Sequence, residues 1–112
     1  MDAAMALLHP RIDYHNIPMA PLAGKTEVEA YLRGAAARME ACDWEVLAVA
    51  ADGARVLTER IDRMTVRGHA ITLPIMGIFE IEDGLIRRWR DYFDLASYRA
   101  QWPRDEEGET RA

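Results

Sequence analysis

The sequence predicts an α+β fold in which a helix covers a curved antiparallel sheet. Three observations carry that expectation. Residues 43–51, 54–66, 69–82 and 85–94 form four strand-like runs, punctuated by Asp52-Gly53, Gly68 and Asp83-Gly84. An Asp-Gly pair between apolar runs supplies the positive φ angles of a tight hairpin turn, so the runs read as a meander. Ahead of them, Val28, Leu32, Ala35 and Met39 recur at helical spacing. Finally, Pro74 and Gly77 interrupt the third run, which predicts a bulge or an unpaired amide at the first and a bend at the second. A sheet curved in this way encloses a concavity, and the helix can close its open side.

The elements follow in order. Residues 2–9 are weakly helical and short. Ile12 to Ile17 alternate as a brief strand, ended by a turn over Pro18 to Pro21. Thr26 and Glu29 have the spacing of a capping box, in which each side chain reaches the other's backbone amide; with the apolar period they predict a helix over 26–41, slightly weakened by Gly34. Leu95 to Trp102 form a helical turn, and the polar residues 104–112 read as a frayed tail. No repeat, low-complexity tract or linker interrupts the chain, so 1–112 reads as a single domain.

Bulk composition narrows the function. The chain has 112 residues, half of them hydrophobic, enough for one globular domain with a real core. Its formal net charge of -5 argues against nucleic acid or an anionic membrane surface as partners. A single cysteine, Cys42, excludes an internal disulfide and a cysteine zinc cluster. The first residues, MDAAMALLHP, carry no basic segment leading into a long apolar one, so the expected location is cytoplasmic.

The chemistry concentrates in three short runs. Strand side chains alternate faces, so Arg60 and Asp62 point the same way, in the company of Val56, Thr58 and Met64. Asp91 shares its face with Trp89 and Phe93. Tyr14 and Asn16, also two apart, can together hold a water. Each has a plain reading: a structural ion pair for Arg60 and Asp62, a surface acid neutralised by Arg87, Arg88 or Arg90 for Asp91, ordinary strand polar residues for Tyr14 and Asn16. Together they say more. Two acids bridged by one arginine against an apolar face favour a shared proton, leaving one neutral acid and one base a fixed distance apart. That arrangement suits push-pull proton transfer.

Other candidates carry less. His9, His15 and His69 lack ligand spacing with one another or with an acid, so no metal is expected. Cys42 reads as a buried, inert thiol. Ser97, the only serine, lies outside a nucleophile-elbow context, and Gly24-Lys25-Thr26 lacks the upstream glycine of a phosphate loop. Leu73, Ile75 and Phe79 are core residues by default.

The combined pattern Tyr14-His15-Asn16-Ile17-Pro18, Thr58-Glu59-Arg60-Ile61-Asp62, Ile75-Met76-Gly77-Ile78-Phe79 and Trp89-Arg90-Asp91-Tyr92-Phe93-Asp94 resembles the limonene-1,2-epoxide hydrolase family, over about residues 7–102. The resemblance implies a cone-shaped α+β fold of the NTF2-like, SnoaL-like class. It implies cofactor-free opening of a small lipophilic epoxide by water to a vicinal diol, in one step. It implies Asp62 as general acid, Asp91 as general base, Arg60 as the bridge between them, and Tyr14 and Asn16 as holders of the water. It places pocket walls at Ala35, Met39, Met64, Leu73, Ile75, Phe93 and Tyr98. Ala35 and Ala41, being small, predict a roomier pocket on the helix side. Only 13 residues precede Tyr14, so the N-terminal helix of the family is expected to be short or missing.

A reading of another class remains: an NTF2-like ligand-binding or isomerase-type domain, since one fold hosts many functions. Steroid-isomerase-like chemistry needs one base and an oxyanion donor, not an arginine between two acids. The face of the meander opposite Arg60 and Asp62 is also apolar, with Leu57 and Ile61, which together with the resemblance predicts a homodimer packed sheet to sheet.

Overall fold

The computed structural model describes residues 1–103; the expected tail at 104–112 lies outside the described residues. The chain runs α1 (Asp2–Met5), β1 (Leu8–Asn16), β2 (Leu22–Ala23), α2 (Lys25–Ala37), β3 (Ala41–Asp52), β4 (Arg55–Val66), β5 (His69–Glu82), β6 (Leu85–Tyr92) and α3 (Leu95–Gln101). All six strands form one sheet in the order β2-β1-β6-β5-β4-β3. The meander β3 to β6 is antiparallel throughout, and its turn residues Gly53, Gly68, Asp83 and Gly84 all adopt positive φ. The sheet as a whole is mixed, however, because β1 lies parallel to β6. No described helix is long and apolar enough to cross a membrane.

Several local expectations are corrected. The capping box does not form. The helix α2 starts at Lys25 with Gly24 as N-cap at φ 87, which puts Thr26 inside the first turn, and Glu29 pairs instead with Arg33 at 2.7 Å. The helix also ends at Ala37, short of residue 41, because the Glu40 amide is already bonded to the Thr65 carbonyl of β4. The first strand begins at Leu8, earlier than Ile12, and α1 is a single turn. Pro10 is accommodated because the β1–β6 register shifts between Leu8 and Asp13, leaving that stretch free of ladder bonds.

Pro74 makes no bulge. The β4–β5 register runs unbroken from Arg55 opposite Glu80 to Val66 opposite His69. Thr72 both donates to and accepts from the Gln101 side chain of α3, so its backbone groups face away from β4. Pro74, two residues on, turns its nitrogen to the same side, beyond the end of β6, where no ladder bond is due. The bulges lie elsewhere, at Leu47 in β3 and at Arg87 in β6, opposite the Glu80–Ile81 step of β5.

The helices cover one face of the curved sheet. Met5, Leu8, Ile12, Tyr14, Val28 and Trp89 form one buried cluster beneath α2. Met64, Val66, Ile71, Leu73, Ile75, Tyr98 and Trp102 form a second beneath α3. Ile12, Val28 and Ile71 are wholly buried, each worth about 1.5–3 kcal/mol relative to exposure. A cavity bordered by side chains of both clusters lies between them.

Candidate active site

Three charged side chains stand in that apolar interior. Arg60 is 1% exposed, Asp91 3% and Asp62 6%. Strand alternation sends Arg60 and Asp62 of β4 to the helix-covered face, and β5 sets β6 at the distance that brings Asp91 to the same guanidinium. Arg60 donates through Nε to Asp62 Oδ1 at 2.8 Å and through Nη2 to Asp62 Oδ2 at 3.3 Å. It also donates through Nη2 to Asp91 Oδ2 at 2.6 Å and through Nη1 to Asp91 Oδ1 at 3.1 Å. The planar fork thus grips both carboxylates at once. Trp89 adds an indole N–H to Asp91 Oδ1 at 2.9 Å. Asp91 Oδ1 therefore has two donors and Oδ2 one.

The electrostatics separate the partners. Burial pushes the Asp62 carboxyl above its ordinary range; the Arg60 hydrogen bonds and charge oppose this, and the Asp91 charge adds to it. Burial works against the Arg60 charge, but the hydrogen bonds and charges of Asp91 and Asp62 outweigh it and raise its pKa. Arg60 keeps its charge, and burial favours the protonated form of Asp62 more than it is favoured in a free carboxyl.

Tyr14 and Asn16 reach the same place from β1. Asn16 is the register neighbour of Asp91, and Tyr14 that of Trp89. The Tyr14 hydroxyl donates to Asn16 Oδ1 at 3.2 Å, and its ring packs edge-on against Trp89 at 4.8 Å. Burial foremost, with the Asp91 charge behind it, raises the Tyr14 pKa, so the hydroxyl keeps its proton. Arg87, Arg88 and Arg90 do not neutralise Asp91: Arg87 and Arg88 reach Asp13, and Arg88 and Arg90 reach Glu80.

The five polar residues share a cavity of about 400 Å³ with Ala35, Met39, Met64, Leu73, Ile75, Phe93 and Tyr98, all seven expected walls. On the helix side Ala35 and Ala36 are small; Ala41 is not a lining residue, because it has already joined β3. Met1, Met5, Met19, Met39 and Met64 also border the cavity, and methionine adapts readily to irregular ligands.

Two expectations about side sites need revision. Cys42 is exposed rather than buried, at the cavity rim on the edge strand β3; partial burial and the nearby Asp62 charge still push its thiol pKa up, against nucleophilic use. His9 does meet acids, lying with Glu82 and Asp83 in ligand range of one another. Its Nδ1, however, accepts the Arg11 amide at 3.0 Å, which leaves Nε2 as the protonated nitrogen facing Glu82 at 3.1 Å. That tautomer has no lone pair free for an ion.

Three contributors escaped the sequence reading. Gly77 sits in register between Thr58 and Asp91, beneath the ion pair. Trp44 of β3 covers the Arg60 guanidinium, 4.0 Å from ring centroid to Cζ. Trp89 shares the Asp91 face, as strand alternation predicts, and its indole N–H is the donor that alternation does not reveal. Thr58 Oγ1 is buried beside this group without a hydrogen-bond partner among the described residues.

Comparison with known proteins fits this geometry. Residues 1–104 match the limonene-1,2-epoxide hydrolase catalytic domain. The chain is 33% identical over 94 residues to the epoxide hydrolase EphG of Mycobacterium tuberculosis, covering 84% of this chain and 62% of that protein's length. It superposes on the structure of an M. tuberculosis LEH-like epoxide hydrolase with a TM-score of 0.78 at 32% identity, covering 87% of this chain and 72% of the other. A Catenulispora acidiphila protein with a ketosteroid isomerase-like fold superposes with a TM-score of 0.77 at 18% identity, over 89% of this chain and 79% of that one, a likeness of fold alone. An NTF2-like protein from Cytophaga hutchinsonii superposes with a TM-score of 0.73 at 17% identity, over 84% of this chain and 85% of that one, again a likeness of fold alone. The fold is NTF2-like, and the chain belongs to the limonene-1,2-epoxide hydrolase family.

Proposed function

We propose that this protein hydrolyses a small lipophilic epoxide to a vicinal diol, without a cofactor and without a covalent intermediate. The observation that carries this reading is the buried Arg60 fork holding two carboxyls whose environments differ. Asp62, protonated, gives its proton to the epoxide oxygen as the carbon–oxygen bond breaks. Asp91 takes a proton from the water whose oxygen forms the new bond to carbon. Tyr14 and Asn16 hold that water beside Asp91 Oδ2, the oxygen with fewer donors. The net proton count is unchanged, and transfer from Asp91 back to Asp62, directly or through solvent, restores the starting state. The apolar walls bind the rest of the substrate. The isomerase-type reading leaves the second acid without a task.

The test is a panel of terpene and cyclic epoxides turned over in water enriched in heavy oxygen. One-step attack puts a heavy oxygen into the diol of the very first turnover. A first diol that carries no heavy oxygen means an enzyme carboxylate attacked instead, and no turnover across the panel removes the hydrolase reading.

We also propose that the protein works as a homodimer. On the face away from the cavity, Ile61 stands opposite Pro74, Leu57 opposite Ile78, and Met76 opposite Tyr92. Met76 and Tyr92 are about half exposed, and the ion pairs Arg63–Glu45 and Arg90–Glu80 flank the stripe. An apolar stripe with a charged rim is the anatomy of a protein interface.

A further inference from the structure

We propose that Trp44 is a positioning residue for the reaction, one that holds the Arg60 guanidinium flat between the two acids and keeps water off its face. The inference rests on the hydrolase reading only for its kinetic half.

Three observations meet at this side chain. Its ring lies 4.0 Å from Arg60 Cζ, a face-on cation–π distance. All the hydrogen bonds of the guanidinium described here lie in its plane and go to Asp62 and Asp91, so they leave its faces open and restrain tilt only weakly. Trp44 is itself 43% exposed while Arg60 is 1% exposed, so the indole forms the wall between that cation and solvent. A second contact fixes the wall: Trp44 stands edge-on to Trp89 at 6.0 Å, and Trp89 is the donor to Asp91. The two indoles therefore brace the arginine and one of its acids as a single unit.

The backbone is built to deliver this ring. Counting from the hairpin, Asp52 faces Arg55 and Ala48 faces Glu59; continued regularly, that register sets Trp44 opposite Arg63, on the far face of the sheet. The bulge between Val46 and Ala48 moves the register by one, and Trp44 instead faces Asp62 and enters the cavity. Re-aiming a side chain beside a site is a recurrent use of such bulges.

The experiment compares wild type with Trp44→Ala, Trp44→Phe and Trp44→Leu. On an epoxide that wild type hydrolyses, Trp44→Ala lowers kcat by about 3- to 30-fold, the range to which a partly desolvated cation–π contact converts, with KM little changed. Trp44→Phe restores most of the loss; Trp44→Leu, apolar but without a π face, does not. In parallel, the side-chain Nε–H signal of Arg60 in a nitrogen-15 spectrum exchanges with water faster in Trp44→Ala and returns toward wild-type behaviour in Trp44→Phe. The proposal is overturned if Trp44→Ala changes only KM, which makes the ring a substrate wall, or if the Arg60 signal keeps its wild-type exchange. Should wild type hydrolyse no epoxide, the hydrolase reading falls, and the Arg60 exchange alone decides the positioning role.

Discussion

Gly77 leaves room for Arg60 that no other residue could: a β-carbon built on it stands 2.6 Å from Arg60 Nη1 and 2.7 Å from Asp91 Oδ1. Both neighbours are locked in place, by each other and by Asp62 and Trp89. The absence of a side chain here is thus a requirement of the ion pair rather than of the backbone, since Gly77 is not among the residues with positive φ.

Gly77→Ala is therefore expected to push Arg60 away from Asp91. Displacement of a catalytic group by a fraction of an ångström to an ångström costs up to about 10²-fold in rate, and overpacking costs about 1–3 kcal/mol of stability. Gly34→Ala is the control: its β-carbon meets nothing within 4 Å, and in a helix it should stabilise. Urea melts and turnover of both variants decide; an active, stable Gly77→Ala contradicts the account.

Asp62→Asn and Asp91→Asn should each lower turnover by at least about 10²-fold, the scale of general acid or base help. The losses are expected to be far from additive, because the acids act as one unit. Their stabilities should differ. Burial favours the neutral form of Asp62, so a neutral amide should be tolerated there, whereas Asp91→Asn removes charge compensation from a buried arginine, at about 3–5 kcal/mol. A double-mutant cycle with denaturant melts measures both effects. Either single variant retaining more than about a tenth of the rate rules out its acid as a proton-transfer group.

The pH dependence follows from the same pair. Asp62 has its pKa raised above 3.8 by burial, so its protonated form, the acid, persists to higher pH than that of a free carboxyl. Turnover should fall as pH rises through the upper apparent pKa of the pair. For stability the sign is the same. The contribution of this group is fully present below its unfolded value and is lost as pH rises through its folded value. In Asp62→Asn that decline should vanish from a series of melts across pH; its survival would assign the raised group elsewhere.

Tyr14→Phe removes one donor and leaves the arginine and both acids in place. The expected cost is about 1–3 kcal/mol of barrier, the scale for a lost buried hydrogen bond, and less than that of Asp91→Asn. Steady-state kinetics on the two variants give the order directly. The reverse order places Tyr14 in the proton chemistry itself.

Sedimentation at micromolar concentration should show two copies associated, and Met76→Glu should separate them while leaving turnover measurable, since Met76 points away from the cavity. A monomeric wild type ends the dimer proposal.

Much of the architecture was legible because hairpin chemistry is local. Asp52-Gly53 and Asp83-Gly84 turn where expected, and two-residue alternation put Arg60 and Asp62 on one face without any knowledge of partners. What failed depends on tertiary context. The Thr26–Glu29 spacing competed with Gly24, which caps the helix by conformation alone. Of the two readings of Pro74, the unpaired position holds and the bulge does not, because β6 ends before it. Trp44 was hidden by the bulge at Val46 and Ala48, because an irregular register cannot be counted from a turn. The Arg60–Asp91 contact crosses β5 and is not local; the sequence reaches it through the combination of residues and the family resemblance, and the order of strands supplies its geometry.

That strand order also governs when the site can come into being. β1 lies beside β6, with the whole meander formed between them in sequence. Tyr14 and Asn16 leave the ribosome early and then wait for Asp91, the last polar member to be made. Closing so long a loop is unfavourable until β6 docks and its ladder bonds form. A nascent chain lacking β6 holds Arg60 and Asp62 without their third partner. Completion of the Arg60 pairing by Asp91 and closure of the sheet between β1 and β6 are therefore late events, and on the proposed hydrolase reading a chain without β6 has no base.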